Sequence, residues 1–147
     1  MGSDQNIYHQ LSTRECLDLL ESHHFGRIAL VDDGRPLIFP VNYAVSGETI
    51  VFRTDTGTKF AAAVLAPVAF EIDGTDEATQ TGWSVVVHGT GREITWDPAT
   101  HARQMRELDV QPWVPGERVR WVEIVAEEVT GRRIQGRKPF ETMYNNW

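Results

Sequence analysis

Apolar positions along the chain follow a helical period first and a strand period afterwards. In residues 11–26, LSTRECLDLLESHHFG, Cys16, Leu19, Leu20 and His23 recur at i, i+3, i+4 and i+7, the spacing of one helix face. Ser12 and Glu15, three residues apart, form a capping box for that helix, and Gly26 reads as its stop. From Phe25 the spacing shortens. FGRIALVDDGRPLIFPVNYAV divides at Asp33-Gly34, a pair suited to a tight hairpin turn, and ETIVFRT follows the Ser46-Gly47 turn. VAFEID, WSVVVHGTGREI and RVRWVEIVAEEVTGRRI read as further strands, the last with room for a bulge, and residues 74–82 as a polar loop.

Two more helices are expected. TKFAAAVLA is ended by Pro67, and ATHARQMREL has Asp97 as its cap and Pro98 in its first turn. The tail GRKPFETMYNNW is expected to pack back on the body or to reach a partner. Short antiparallel connections dominate and no βαβ series occurs. The expected fold is therefore mainly β, a barrel with small peripheral helices, with residues 1–147 as one domain.

Composition narrows the function classes. A chain of 147 residues, 41% hydrophobic and 24% charged, has the make-up of a globular domain with a real core. Its net charge of −7 repels phosphate, so nucleic acid is not an expected partner, and a small anionic ligand needs a local gathering of cations. Cys16 is the single cysteine, which excludes an internal disulfide and a cysteine-rich zinc site, and it reads as a small buried apolar residue. His9, His23, His24, His88 and His101 lack metal-ligand spacing, so no metal site is expected. No apolar run is long enough to cross a membrane and no signal peptide is visible, which makes the cytoplasm the expected location.

No G-x-S-x-G elbow, Walker loop or H-E-x-x-H motif is present, and GTGRE at 89–93 lies in a strand rather than opening a helix. Its glycines fit a bulge or a close backbone approach. No catalytic residue is assigned, so an enzyme built on this chain would draw its chemistry from a cofactor. Three stretches could hold one. In FRTDTGTKFAAA, Arg53 and Lys59 flank Thr54, Gly57 and Thr58, which makes either an anion seat or a solvated turn. In LIFPVNYAV, Pro40 sits mid-strand before Val41, Asn42 and Tyr43, as a tolerated edge proline or a break that turns backbone toward a flat heterocycle. Trp83 and Ser84 begin the longest apolar strand, as core, interface or cofactor contacts.

Taken in order, LSTRECLDLL, FGRIALV, RPLIFPVNYAV, IVFRTDTGTK, PVAFEID, GWSVVVHGTGREI and VTGRRI resemble the pyridoxamine 5′-phosphate oxidase-like superfamily over residues 11–134. The likeness is greatest to its short branch of flavin and deazaflavin oxidoreductases and nitroimidazole-reductase-like proteins. That resemblance implies a split β-barrel homodimer with a cofactor site at each interface. It implies FMN, or in the alternative a deazaflavin coenzyme, with the phosphate on Arg53, Thr54, Thr58 and Lys59. Pro40, Val41, Asn42 and Tyr43 would border the isoalloxazine ring through backbone contacts, and Trp83 and Ser84 would approach from the other subunit. The implied activity is reduction of a small organic substrate. A non-catalytic flavin- or haem-binding module is the competing class. The chain lacks the C-terminal substrate motif of the true vitamin-B6 oxidases, although Arg132, Arg133, Arg137 and Lys138 lie in that region.

Overall fold

The computed structural model describes residues 8–55, 65–113, 116 and 118–136. In chain order the elements are β1 (Tyr8–Gln10), α1 (Thr13–Ser22), β2 (Phe25–Asp32), β3 (Arg35–Ser46), β4 (Thr49–Thr54), β5 (Pro67–Asp76), β6 (Thr81–Glu93), α2 (Thr100–Arg106) and β7 (Arg120–Ile134). All strand pairs are antiparallel, in the order β1-β7-β4-β3-β2-β5-β6, and β6 pairs again with β7. That last pairing closes the ring, so the architecture is the split β-barrel with small peripheral helices.

Local chemistry accounts for most element boundaries. Ser12 Oγ accepts the Glu15 amide and Glu15 Oε1 accepts the Ser12 amide, both at 3.1 Å, which completes the capping box. Asp33 and Gly34 take positive φ angles of 52° and 73°, the pair of left-handed residues that matches the twist of a two-residue hairpin. On β7, Glu127 is the extra residue of a bulge, between the pairs His88↔Glu128 and Gly89↔Ala126. A side chain at Gly89 would collide with the Val125 carbonyl. Gly89 of GTGRE thus marks a close approach, opposite the bulge on β7.

Alternation along β4 creates two cores. Ile50 and Phe52 point into the barrel, whose mouth is stopped by Cys16 and Leu20 of α1. Val51 points outward and is covered by Ala102 and Met105 of α2, together with Ile94 and Val110. The outer cluster fastens α2 and the segment after it onto the outside of β3, β4 and β7.

Several expectations need correction. Gly26 is not the helix stop. The chain turns extended at His23, and Gly26 lies within β2, where a side chain would meet Phe70 and the Glu71 carbonyl. Asp97 is not the cap of α2. It accepts the Ala99 amide at 2.9 Å in a turn just before the helix, whose N-cap is Ala99. The loop expected at 74–82 shrinks to the turn between β5 and β6, because the ladder continues to Asp76↔Thr81. β1 was not expected; three exposed residues carry no periodic signal. The helix expected in TKFAAAVLA falls almost wholly, and the tail after Gly136 wholly, outside the described residues.

Candidate functional site

The barrel opens where β3 and β4 part. Among the described residues their ladder runs from Ser46↔Thr49 to Tyr43↔Phe52, and residues 35–42 of β3 have ladder partners on β2. Continuing the register by one position would set Asn42 against Arg53. Tyr43 and Phe52 point into the core, so Asn42 and Arg53 lie on the opposite, outer face. Pro40 has its own reason for being tolerated. The Tyr43 amide donates to the His24 carbonyl at 2.9 Å, and alternation then aims the amide position of residue 40 away from β2, at the open edge.

Both residues are held by the segment that leads into β7. Arg53 donates Nε to the Arg118 carbonyl at 2.9 Å, and its guanidinium lies 5.1 Å from the centre of the Trp121 ring. Its terminal nitrogens have no acceptor among the described residues. Asn42 accepts the Trp113 amide on Oδ1 at 2.9 Å, while its buried Nδ2 has no hydrogen-bond partner among the described residues. Trp113 in turn stacks on Phe25, with ring centres 4.8 Å apart and planes 7° from parallel. Arg118 is ion-paired with Asp55, and Arg120 with Glu93, which pins the segment beside the opening. The result is a held cation at the end of β4 and, where β3 leaves its ladder, a neutral donor without a partner among the described residues, with aromatic rings beside each. That combination suits an anionic ligand with a flat ring.

The remaining candidates scatter. Pro40 is exposed on the open edge, Val41 packs partly on the core, and Thr54 is half-buried opposite Arg120. Tyr43 turns its ring inward, donates its hydroxyl to the Leu20 carbonyl at 2.7 Å, and has its amide already paired. Thr58 and Lys59 lie outside the described residues. Trp83 and Ser84 pair with Arg133 and Arg132 at the far end of β7, twelve positions from Trp121. That separation is roughly 40 Å of extended strand, so a single chain does not bring Trp83 to Arg53. Trp83 lines an open pocket of about 680 Å³, together with His23, Gly74 and Arg133.

Sequence reasoning passed over Trp113, Arg118 and Trp121. Trp121 alternates correctly for an outward position on β7. Nothing local connects Trp113 or Arg118 with residues 42 and 53. Among the described residues no group of three His, Cys, Asp or Glu could hold a metal ion, and no helix is long and apolar enough to cross a membrane.

The closed antiparallel barrel has known relatives. The family model described as pyridoxamine 5′-phosphate oxidase matches residues 12–133, and the chain belongs to that family. It is 37% identical over 131 residues to the uncharacterized protein Rv0080 of Mycobacterium tuberculosis, covering 85% of this chain and 84% of that one. Among solved structures it is similar to the FAD-binding protein of Mycobacterium smegmatis, at 34% identity and a TM-score of 0.72, over 86% of this chain and 97% of the other. It is also similar to a FAD-binding protein of Mesorhizobium loti, at 25% identity and a TM-score of 0.69, over 86% and 98% of the two chains.

Proposed function

We propose that the chain is a flavin-dependent oxidoreductase that reduces a small organic substrate, with FMN as its flavin. The observation that carries this reading is the buried, partnerless Nδ2 of Asn42, one register position across from the guanidinium of Arg53 at the split of the barrel. A buried donor without an acceptor is costly, and a ligand acceptor removes that cost. Similarity to two proteins described as FAD-binding supports a flavin, since FMN and FAD share the phosphate next to the ribityl chain.

A flavin, when bound, supplies hydride transfer. The chain supplies position and electrostatics. Arg53, Thr54, Thr58 and Lys59 hold the phosphate, and Pro40, Val41, Asn42 and the backbone of Tyr43 line the ring. Trp83 and Ser84 complete the site from the partner subunit, because within one chain they lie at the other end of the barrel. The assembly is a homodimer working in the cytoplasm, with neither nucleic acid nor membrane as partner.

Reconstitution tests this reading. The purified protein is titrated separately with FMN, FAD, a deazaflavin coenzyme and haem, followed by absorption spectra and by mass in solution. FMN uptake by a dimer is expected. Uptake of the deazaflavin or haem in place of a flavin, or of none of the four, would overturn it, and a monomer at saturating FMN would remove the shared site.

A further inference from the structure

The pocket at the far end of the barrel holds three groups that are fixed in place yet left unsatisfied. The first is His23, which follows the last turn of α1. Its Nδ1 lies 2.7 Å from the Leu19 carbonyl, and a carbonyl can only accept, so Nδ1 carries the proton. That leaves Nε2 as the lone-pair nitrogen, and it has no partner among the described residues. The second is the indole of Trp83. It lies against the backbone of β5 at Gly74, where a Cβ atom would sit 2.6 Å from the indole nitrogen, and the His23 ring stands 4.8 Å away at 53°. The third is Arg133, Trp83's partner across the β6–β7 ladder.

Arg133 differs from its counterparts. The other half-buried arginines among the described residues, Arg27, Arg53, Arg106, Arg118 and Arg120, each donate to a carboxylate or a carbonyl. Arg133 is equally half-buried and, among the described residues, has no hydrogen bond or ion pair; the Glu15 carboxylate feels its charge without pairing with it. Asp76, the acidic group in the pocket lining, already accepts the amides of Ala78 and Thr79 through Oδ1 in the β5–β6 turn.

A flat platform, an unpaired cation and a lone-pair nitrogen in one pocket define a ligand. We propose that the pocket binds a planar aromatic carboxylate bearing a ring hydroxyl or N–H. The ring stacks on Trp83, the carboxylate pairs with Arg133, and the ring donor meets Nε2 of His23. Resting on the flavin reading above, in which Trp83 faces the partner's cofactor, this ligand class is the substrate class of the enzyme.

The test uses 4-hydroxybenzoate as the probe on the flavin-free chain, with binding read by calorimetry and by NMR shifts of Trp83 and His23. Saturable binding, one per chain, is expected. Arg133→Gln, which breaks no internal bond, should weaken it roughly tenfold or more, and neutral 4-hydroxybenzamide should bind wild type weaker by a similar factor. No saturation at millimolar probe, or equal affinity of the Arg133→Gln variant or of the amide, overturns the proposal. A parallel FMN titration separates the two readings. FMN uptake without probe binding removes the pocket assignment alone. Probe binding without FMN uptake keeps the site and removes its role as a flavin enzyme's substrate pocket.

Discussion

The backbone amide of Trp113 and the side-chain oxygen of Asn42 are 2.9 Å apart, and that bond decides which way the Asn42 amide faces. With Oδ1 committed to Trp113, Nδ2 is left as a buried donor with no acceptor among the described residues. Asn42→Ala removes a hydrogen bond worth about 1 kcal/mol together with an orphan whose burial costs about 1–3 kcal/mol. The ligand-free variant should therefore be as stable as wild type or up to about 2 kcal/mol more stable, while the rise in Tm on adding FMN shrinks. Melting curves with and without FMN check this, and an undiminished rise in a folded variant counts against a ligand contact at Asn42.

Arg53 and Lys59 are the proposed cations of the phosphate seat. Each charge-assisted contact is worth about 1.5–3 kcal/mol, so Arg53→Ala or Lys59→Ala should weaken FMN roughly ten- to a hundredfold. Arg53→Ala should also free the Arg118 carbonyl and the Trp121 face, loosening the segment before β7. Fluorescence titration with FMN measures the first effect. Hydrogen exchange in residues 118–122 measures the second.

Gly26 is a packing position. A methyl group there would lie 2.6 Å from Phe70 Cζ and 2.8 Å from the Glu71 carbonyl oxygen, and the backbone neighbour cannot swing aside. Gly26→Ala should cost about 1–3 kcal/mol. The urea midpoint should fall with little change in slope. An unchanged midpoint would mean that β2 and β5 can separate there without loss.

Two carboxylates, Glu15 and Asp97, contribute to the acid limb of stability. The Ser12 amide, followed by its hydroxyl, holds the Glu15 carboxyl below its ordinary range; the Ala99 amide, then Arg92, does the same for Asp97. A group whose pKa is depressed by folding adds stability that is complete above its unfolded value, about 4, and is lost as pH falls through the folded value. Tm should thus decline below about pH 4. Asp97→Asn keeps an oxygen for the Ala99 amide but removes the charge, so the acid slope should be shallower. Melting curves between about pH 2 and 6 decide it.

Local signals were legible wherever their physics is local. The Ser12–Glu15 box, the Asp33-Gly34 turn and the alternation of β4 all act within a few residues, and each appears as the sequence implied. Gly26 misled because a helix stop and a close strand approach both demand glycine, and only Phe70, distant in sequence, distinguishes them. Asp97 misled because its side chain serves the turn before α2 rather than the helix itself. At the candidate site, Asn42 and Arg53 could be read from their strands. Trp113 and Arg118 could not, because what brings them there is the docking of α2 on the outer face of Val51.

The ring is closed by β7, the last strand in chain order among the described residues. Thr49 on β4 pairs with Val125, and Glu93 on β6 pairs with Val122, so both edges stay open until residues beyond 120 have left the ribosome. Until then the nascent chain carries hydrophobic strands with unpaired amides, the state in which β proteins are most exposed to misassociation. Closure over such sequence distances is intrinsically slow. A chain ending before β7 would therefore lose the barrel as a whole rather than one strand of it, and the barrel cannot close until β7 has been synthesised.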